Sequence, residues 1–277
     1  MSDASADDAK PSKGTVVLIH GLWLTPRSWE PWVRRYTQLG YDVLAPAWPG
    51  MEIEVEALRE DPTPMNGLGV GEVAAHYEKL IRALDMPPII MGHSFGGLIT
   101  QVMLDRGLGS AGVAIHPAPV KGVYRLPISS LRSARPVLSN PANRNKTVAL
   151  TPEQFHYSFT NTLSADESRE IYDRYHVPAP GRPLFQAATA NLLPNPVTKV
   201  NLRNNTRAPL LIIAGSADHT APASMNRENA KRYRHSSAVT EYKEFPGRPH
   251  FTVGVPGWED VADHAVNWAQ EHAVAHP

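Results

Sequence analysis

Three residue types that together can run nucleophilic acyl transfer lie along this chain in the order serine, acid, histidine. Ser94 stands in Gly92-His93-Ser94-Phe95-Gly96, directly after the apolar run 87–91 and before the helical pattern 98–104. A strand feeding a helix through a tight turn lifts a serine hydroxyl above the end of a sheet, the nucleophile elbow. Glycine at 92 and 96 suits a turn whose flanking side chains would otherwise collide around a strained serine backbone. The string alone also describes an ordinary glycine-rich connection, and its flanks are what favour the elbow. A serine hydroxyl is nearly inert at neutral pH, so it needs a base and a group to orient that base. Asp218 follows a buried strand expected at 209–215, and His250 lies in Pro246-Gly247-Arg248-Pro249-His250-Phe251, after a strand expected at 239–245. Singly, Asp218 could cap a helix starting near Pro222, and His250 is one of 12 histidines. Jointly they sit where parallel strands end, on the edge at which doubly wound sheets collect ligands.

The elements that must position these residues alternate as a parallel sheet requires. Strands are expected at 16–20, 41–45 and 112–115, and helices at 28–39 and 71–84. Ala74, Tyr77, Leu80, Ile81 and Leu84 mark the buried face of the second helix. From about 117 to 200 the rhythm stops, over a stretch far longer than an ordinary connection. It opens with a loop, 119–147, rich in Pro, Ser, Arg and Asn. Helices follow at 152–160 and 165–175, with Thr151 and Ser164 as N-caps and Ser164 with Glu167 as a capping box. A turn at 178–181 leads into the segment 184–193. A disordered linker is the plainer reading of this region, but Phe155, Tyr157, Phe159, Tyr172, Tyr175 and Phe185 are too many aromatics for one.

The run Thr15-Val16-Val17-Leu18-Ile19-His20-Gly21-Leu22-Trp23, the serine elbow, the Gly-Ser-Ala-Asp loop and the Pro-His-Phe loop together resemble the alpha/beta-hydrolase superfamily, over nearly the whole chain except the central insert. The resemblance implies an α/β fold: a doubly wound, mostly parallel sheet carrying an inserted, mainly helical lid. The core would be residues 14–117 and 201–277, the lid 118–200, and residues 1–13 a disordered tail. No leading antiparallel hairpin precedes Thr15, so the sheet is expected to begin at 16–20. The resemblance further implies a Ser94–His250–Asp218 triad and an oxyanion hole made by the amides of Leu22 and Phe95. His20, Gly21, Gly92 and Gly96 would be structural residues near the site, with the His20 ring bracing the oxyanion loop. His93 is expected beside the serine and His219 in solvent. Trp23, Phe155, Tyr157, Phe159 and Phe185 are candidates for the substrate pocket, which would then take an uncharged, apolar small molecule; the alternative is that the lid aromatics only dock the lid on the core.

Composition fits one globular protein, since 277 residues at 42% hydrophobic content can build a full core. Lys+Arg and Asp+Glu both number 27, which gives no reason to expect a nucleic-acid or anionic-membrane partner. No apolar run approaches the ~20 residues of a membrane span, and the polar, acidic start shows no secretory signal, so a cytoplasmic location is expected. Without cysteines there is no disulfide, thiol nucleophile or thiolate metal site. The sequons at Asn145 and Asn204 mean little without secretion. No His-Glu-x-x-His occurs, and His272 with His276 stand at helical spacing in a tail. No glycine-rich nucleotide loop is present, so no metal and no cofactor is expected. The chemistry that follows is a cofactor-free serine hydrolase forming an acyl-enzyme from a carboxylic ester. The same triad also serves amide or carbon–carbon hydrolysis, lactone opening, perhydrolysis and cyanohydrin cleavage, and a ligand-sensing protein could retain it. Among these, and for oligomeric state, the sequence leaves the choice open.

Overall fold

The structure is a computed structural model that describes residues 12–274. In chain order its strands are β1 (Thr15–Ile19), β2 (Asp42–Leu44), β3 (Ile89–His93), β4 (Ala111–Ile115), β5 (Thr147–Val148), β6 (Ala179–Pro180), β7 (Leu210–Gly215) and β8 (Thr240–Phe245). Its α-helices are α1 (Glu30–Gln38), α2 (Val55–Glu60), α3 (Val70–Arg82), α4 (Phe95–Asp105), α5 (Ile128–Leu138), α6 (Pro152–Phe159), α7 (Ala165–Tyr175), α8 (Arg182–Thr189), α9 (Ala223–Arg232) and α10 (Trp258–His272). Six strands form one parallel sheet in the order β2-β1-β3-β4-β7-β8. The strands β3, β4 and β7 are buried along their whole length and, apart from His93 at the end of β3, consist of Val, Ile, Leu, Met and small residues, the pattern of strands covered on both faces. At the edges, β2 and β8 are only partly covered.

The chain leaves β1 towards β2 and returns to place β3 on the other side of β1. The order therefore reverses between β1 and β3, whose carboxyl ends open a crevice. Right-handed crossovers leading in opposite directions put α1 and α4 on opposite faces. On the α1 face, Tyr36 Oη donates to the Ala262 carbonyl of α10 at 2.7 Å, and Trp32 Nε1 to the Val253 carbonyl at 2.9 Å. Helix α3 buries Val70, Val73, Ala74, Tyr77 and Ile81. Leu80, expected on that face, is exposed, and Leu84 lies beyond the helix end.

Between β4 and β7 an insert carries α5 to α8 and a short antiparallel β5–β6 ladder. Both α6 and α7 begin with complete capping boxes, Thr151 with Gln154 and Ser164 with Glu167. The expected loop 119–147 is corrected: it contains the eleven-residue helix α5, with Pro136 inside it. The insert is tied to the core by backbone bonds, from Val177 N–H to the Trp23 carbonyl (3.1 Å) and from Phe251 N–H to the Phe159 carbonyl (2.8 Å). Of the expected disordered tail, residues 1–11 lie outside the described residues, while Lys13 N–H bonds the Gly40 carbonyl at 2.9 Å. His276 also lies outside them. Among the described residues no helix is long and apolar enough to cross a membrane.

Candidate active site

Ser94 follows β3 and precedes α4 with φ 57° and ψ −119°, a strained conformation for a residue with a side chain. Glycine is required on either side of it. A Cβ on Gly92 would strike the Gly96 carbonyl, and one on Gly96 would strike the carbonyls of Ile19 and His20. Gly96 is thus demanded by β1 rather than by Gly92. A Cβ on Gly21 would stand 2.8 Å from Ser94 Cβ, so the loop leaving β1 passes directly against the serine.

The sheet edge brings the three sequence-distant residues together. His250 Nε2 lies 3.0 Å from Ser94 Oγ, and His250 Nδ1 lies 2.8 Å from Asp218 Oδ2. All three are buried. The other carboxylate oxygen, Asp218 Oδ1, accepts from the N–H groups of Thr220 (2.7 Å) and Ala221 (2.8 Å), just before α9. Asp218 therefore ties down the turn that leads to α9 and orients His250 as well, but it does not cap the helix, whose N-cap Pro222 has no side-chain bond. Burial pulls its carboxyl upward, but the charge of His250 and the bonds from His116 and His250 outweigh this and hold it below the usual carboxylate range.

His116 belongs to the same cluster and was missed in the sequence. Its Nδ1 lies 2.8 Å from Asp218 Oδ2, the oxygen that His250 uses. The signal was available, because His116 directly follows β4, one strand over from Ser94 and on the same edge. Burial lowers its affinity for a proton, against the pull of Asp218. His93 points Nε2 at the His250 carbonyl (2.8 Å), and its ring lies 4.7 Å from the His250 ring. Burial, followed by the neighbouring His250 and His116, pushes His93 well below the ordinary histidine range. His20 Nδ1 reaches the Gly21 carbonyl at 3.0 Å, while its Nε2 accepts from Trp48 N–H at 3.2 Å, and burial lowers it to about 4. Its ring stacks on Trp48 and joins the loop after β1 to the segment after β2. His116, Asp218 and His250 are the one group of possible metal donors among the described residues. Their facing atoms are already paired as hydrogen bonds.

Phe95 is the first residue of α4, so its amide has no acceptor within the helix. Leu22 follows Gly21 in the loop that abuts Ser94, and Trp23 after it has φ 62°. A cavity of about 150 Å³ opens beside Ser94 and Phe95, walled by Trp23, Leu131, Leu138, Leu184 and Met225, with Ser130, Ser133 and Thr220 among its polar lining. Of the five aromatics expected in the pocket, only Trp23 lines this cavity. The others require correction. Phe155 and Phe159 share one face of α6 and stack at 4.8 Å; Phe159 sets its ring edge-on to His250 at 5.0 Å and so buttresses the imidazole. Tyr157 sets its ring 4.6 Å from His219 at a tilt of 35° and lies beneath the Arg132 guanidinium, and Phe185 lines a separate surface groove. His219, expected in solvent, is half-buried and bonds through Nδ1 to the Tyr157 carbonyl at 2.9 Å, tying the Asp218 loop to the insert.

Among curated proteins none matches the chain significantly. Solved structures match over nearly its full length. A monoacylglycerol lipase from Paleococcus ferrophilus aligns at TM-score 0.65 and 21% identity, over 95% of this chain and 96% of that one. An extracellular alpha/beta-hydrolase from a Paenibacillus species, described as sharing structural and functional homology with tobacco salicylic acid binding protein 2, aligns at 0.66 and 22%, over 91% and 98%. A thermophilic esterase from Thermogutta terrifontis aligns at 0.67 and 16%, over 95% and 92%. At these identities the likeness is one of fold. The model of the alpha/beta hydrolase family matches residues 16–274, nearly the whole chain, and the chain belongs to that family.

Proposed function

We propose that this chain is a serine hydrolase that cleaves uncharged carboxylic esters through an acyl-enzyme. The observation that carries the reading is the unbroken chain Ser94 Oγ–His250 Nε2, His250 Nδ1–Asp218 Oδ2, at 3.0 and 2.8 Å. With Asp218 ionised, His250 holds its proton on Nδ1 and presents a bare Nε2 to the serine. As Ser94 Oγ attacks an ester carbonyl, its proton passes to Nε2, and Asp218 stabilises the imidazolium. The amides of Phe95 and Leu22 would receive the oxyanion, each such donor being worth about 3 kcal/mol where one has been removed. The imidazolium then protonates the departing alkoxide, and water activated by the same nitrogen releases the acid. Every proton moves among groups of the chain and the substrate, so the cycle needs no cofactor.

The cavity supports the choice of substrate. No charged side chain lines it, and at about 150 Å³ it is smaller than the ~300–1,000 Å³ of drug-sized sites. We read the insert as a lid over it, and short, uncharged acyl groups as its occupants. Activity on chromogenic esters should rise from acetate over the next few methylenes, each buried one adding up to ~0.8 kcal/mol, and then fall once the cavity is full. Ser94→Ala should lower turnover by about 10⁴-fold or more with the fold retained. A fluorophosphonate probe should label the wild type and not the variant; equal labelling of both would end the serine-hydrolase reading.

A further inference from the structure

Two imidazoles share one carboxylate oxygen at this site. Asp218 Oδ2 lies 2.8 Å from Nδ1 of His250 and 2.8 Å from Nδ1 of His116, and all three side chains are fully buried. An ionised carboxylate only accepts, so each Nδ1 carries a hydrogen. With Thr220 and Ala221 on Oδ1, Asp218 accepts four hydrogen bonds.

The two rings differ at their far nitrogens. His250 Nε2 faces Ser94 Oγ, whereas His116 Nε2 is buried with no partner. Protonating His116 would bury an N–H with nothing to receive it, which is costly. Protonating His250 would set an N–H against the serine oxygen. The charged and titratable groups around His116 are Asp218, His250, His93 and Arg248. Of these only Asp218 favours a cation there. The proton taken from Ser94 is thus confined to His250, although both rings touch the same acid.

The backbone is built to hold the His116 ring. His116 has φ 47°, its N–H bonds the Ile213 carbonyl at 2.7 Å, and a Cβ on Gly215 would lie 2.5 Å from its Cε1. We propose that His116 is a positioning residue of the triad, a permanently neutral donor that orients the Asp218 carboxylate and shares its charge with His250. This rests on the serine-hydrolase reading for its effect on turnover, but not for the tautomer it assigns.

The test compares wild type with His116→Phe, which fills the space without a donor, and His116→Asn, whose amide nitrogen can stand near the place of Nδ1. Without the donor, more of the carboxylate charge falls on His250, which becomes easier to protonate. In His116→Phe the acid limb of kcat/KM should move up by about half to one pH unit, with kcat several-fold lower, and His116→Asn should return the limb towards wild type. In ¹⁵N-histidine spectra of the wild type near pH 7, His116 should be the neutral Nδ1–H tautomer with a downfield proton, and His116→Phe should lose that resonance while keeping the one from His250. An unmoved acid limb in both variants, or equal losses of kcat in both without a shift, overturns the proposal. So does an Nε2–H tautomer at His116 in the wild type, a readout that needs no folded variant. Turnover that survives Ser94→Ala would overturn the ester-hydrolase reading instead and leave the tautomer result standing.

Discussion

Backbone strain marks the site residue by residue. The described residues other than glycine with positive φ are Trp23, Ser94 and His116, found after β1, β3 and β4 respectively. Such conformations cost on the order of 1–3 kcal/mol each and persist where the surroundings over-determine them. Here those surroundings include the Val177 bond to Trp23, the Ile115 carbonyl that accepts Ser94 N–H at 3.0 Å, and the Ile213 carbonyl on His116 N–H. The acid shows how one atom sets the chemistry. In Asp218→Asn the amide oxygen must stay at the Oδ1 position, because Thr220 and Ala221 both donate there. The amide nitrogen then takes the place of Oδ2 and donates towards both imidazoles, so each must present a bare Nδ1. His250 is forced to carry its proton on Nε2, facing Ser94, where it cannot act as a base. Turnover should fall by about 10³–10⁴-fold, with the thermal transition still cooperative. An Asn variant within tenfold of wild type would place the orienting acid elsewhere.

Elements differ in how plainly their residues announced them. The elbow was legible because backbone crowding dictates its glycines, and α6 and α7 because their caps are written at fixed spacing. Ser94, Asp218 and His250 followed from topology, since they end three strands of one parallel sheet. Helix α5 was not legible, because its pattern is turned inside out: Ile128 and Leu131 are 84% and 47% exposed, while Ser130 and Ser133 are buried beside Val137. Pro136 hid it further. The aromatics of α6 were legible as a face but not as a destination, since a ring that buttresses His250 and a ring that lines a cavity have the same spacing. The inverted helix has a consequence for substrate choice. Ser130 and Ser133 border the cavity, and both hydroxyls are buried without a partner. An unsatisfied buried hydroxyl costs about 1–3 kcal/mol, and a substrate oxygen within reach would recover part of that. A 4-methoxybutanoate ester should therefore be preferred over the hexanoate of equal length, by several-fold in kcat/KM. Ser130→Ala with Ser133→Ala should bring that ratio close to one. A wild-type preference for the hexanoate would mean that the serines serve packing alone.

At the scale of the whole molecule, the core and the insert each hold an internal joint through a neutral histidine, and this links stability to pH. His20 joins the loop after β1 to Trp48 through a Nε2 that accepts an N–H, and His176 in the insert accepts Leu150 N–H on Nε2 at 3.1 Å. Adding a proton to either Nε2 would turn N–H against N–H. Burial lowers His20 to about 4, and burial with the nearby Arg59 lowers His176 to about 3, both from 6.5. The folded value lies below the unfolded one, so as pH falls the unfolded chain takes up protons first. Stability is complete above about pH 6.5 and is lost between there and the folded values. At pH 5 each of the two histidines has cost about 2 kcal/mol, together about 4 of the ~5–15 kcal/mol that hold a domain folded. His93 and His116, lowered in the same direction, add to the loss. Asp218 offers no compensation in this window. Its carboxyl is held low, so the stability it contributes is present above the usual carboxylate range and is lost only at more acid pH. The urea midpoint should accordingly drop steeply between pH 7.5 and pH 5, and proton uptake on unfolding at pH 5.5 should exceed one per molecule. A midpoint that does not move over that interval would mean that these rings keep their places when charged, and that the bonds they make within the core and within the insert do not depend on a bare Nε2.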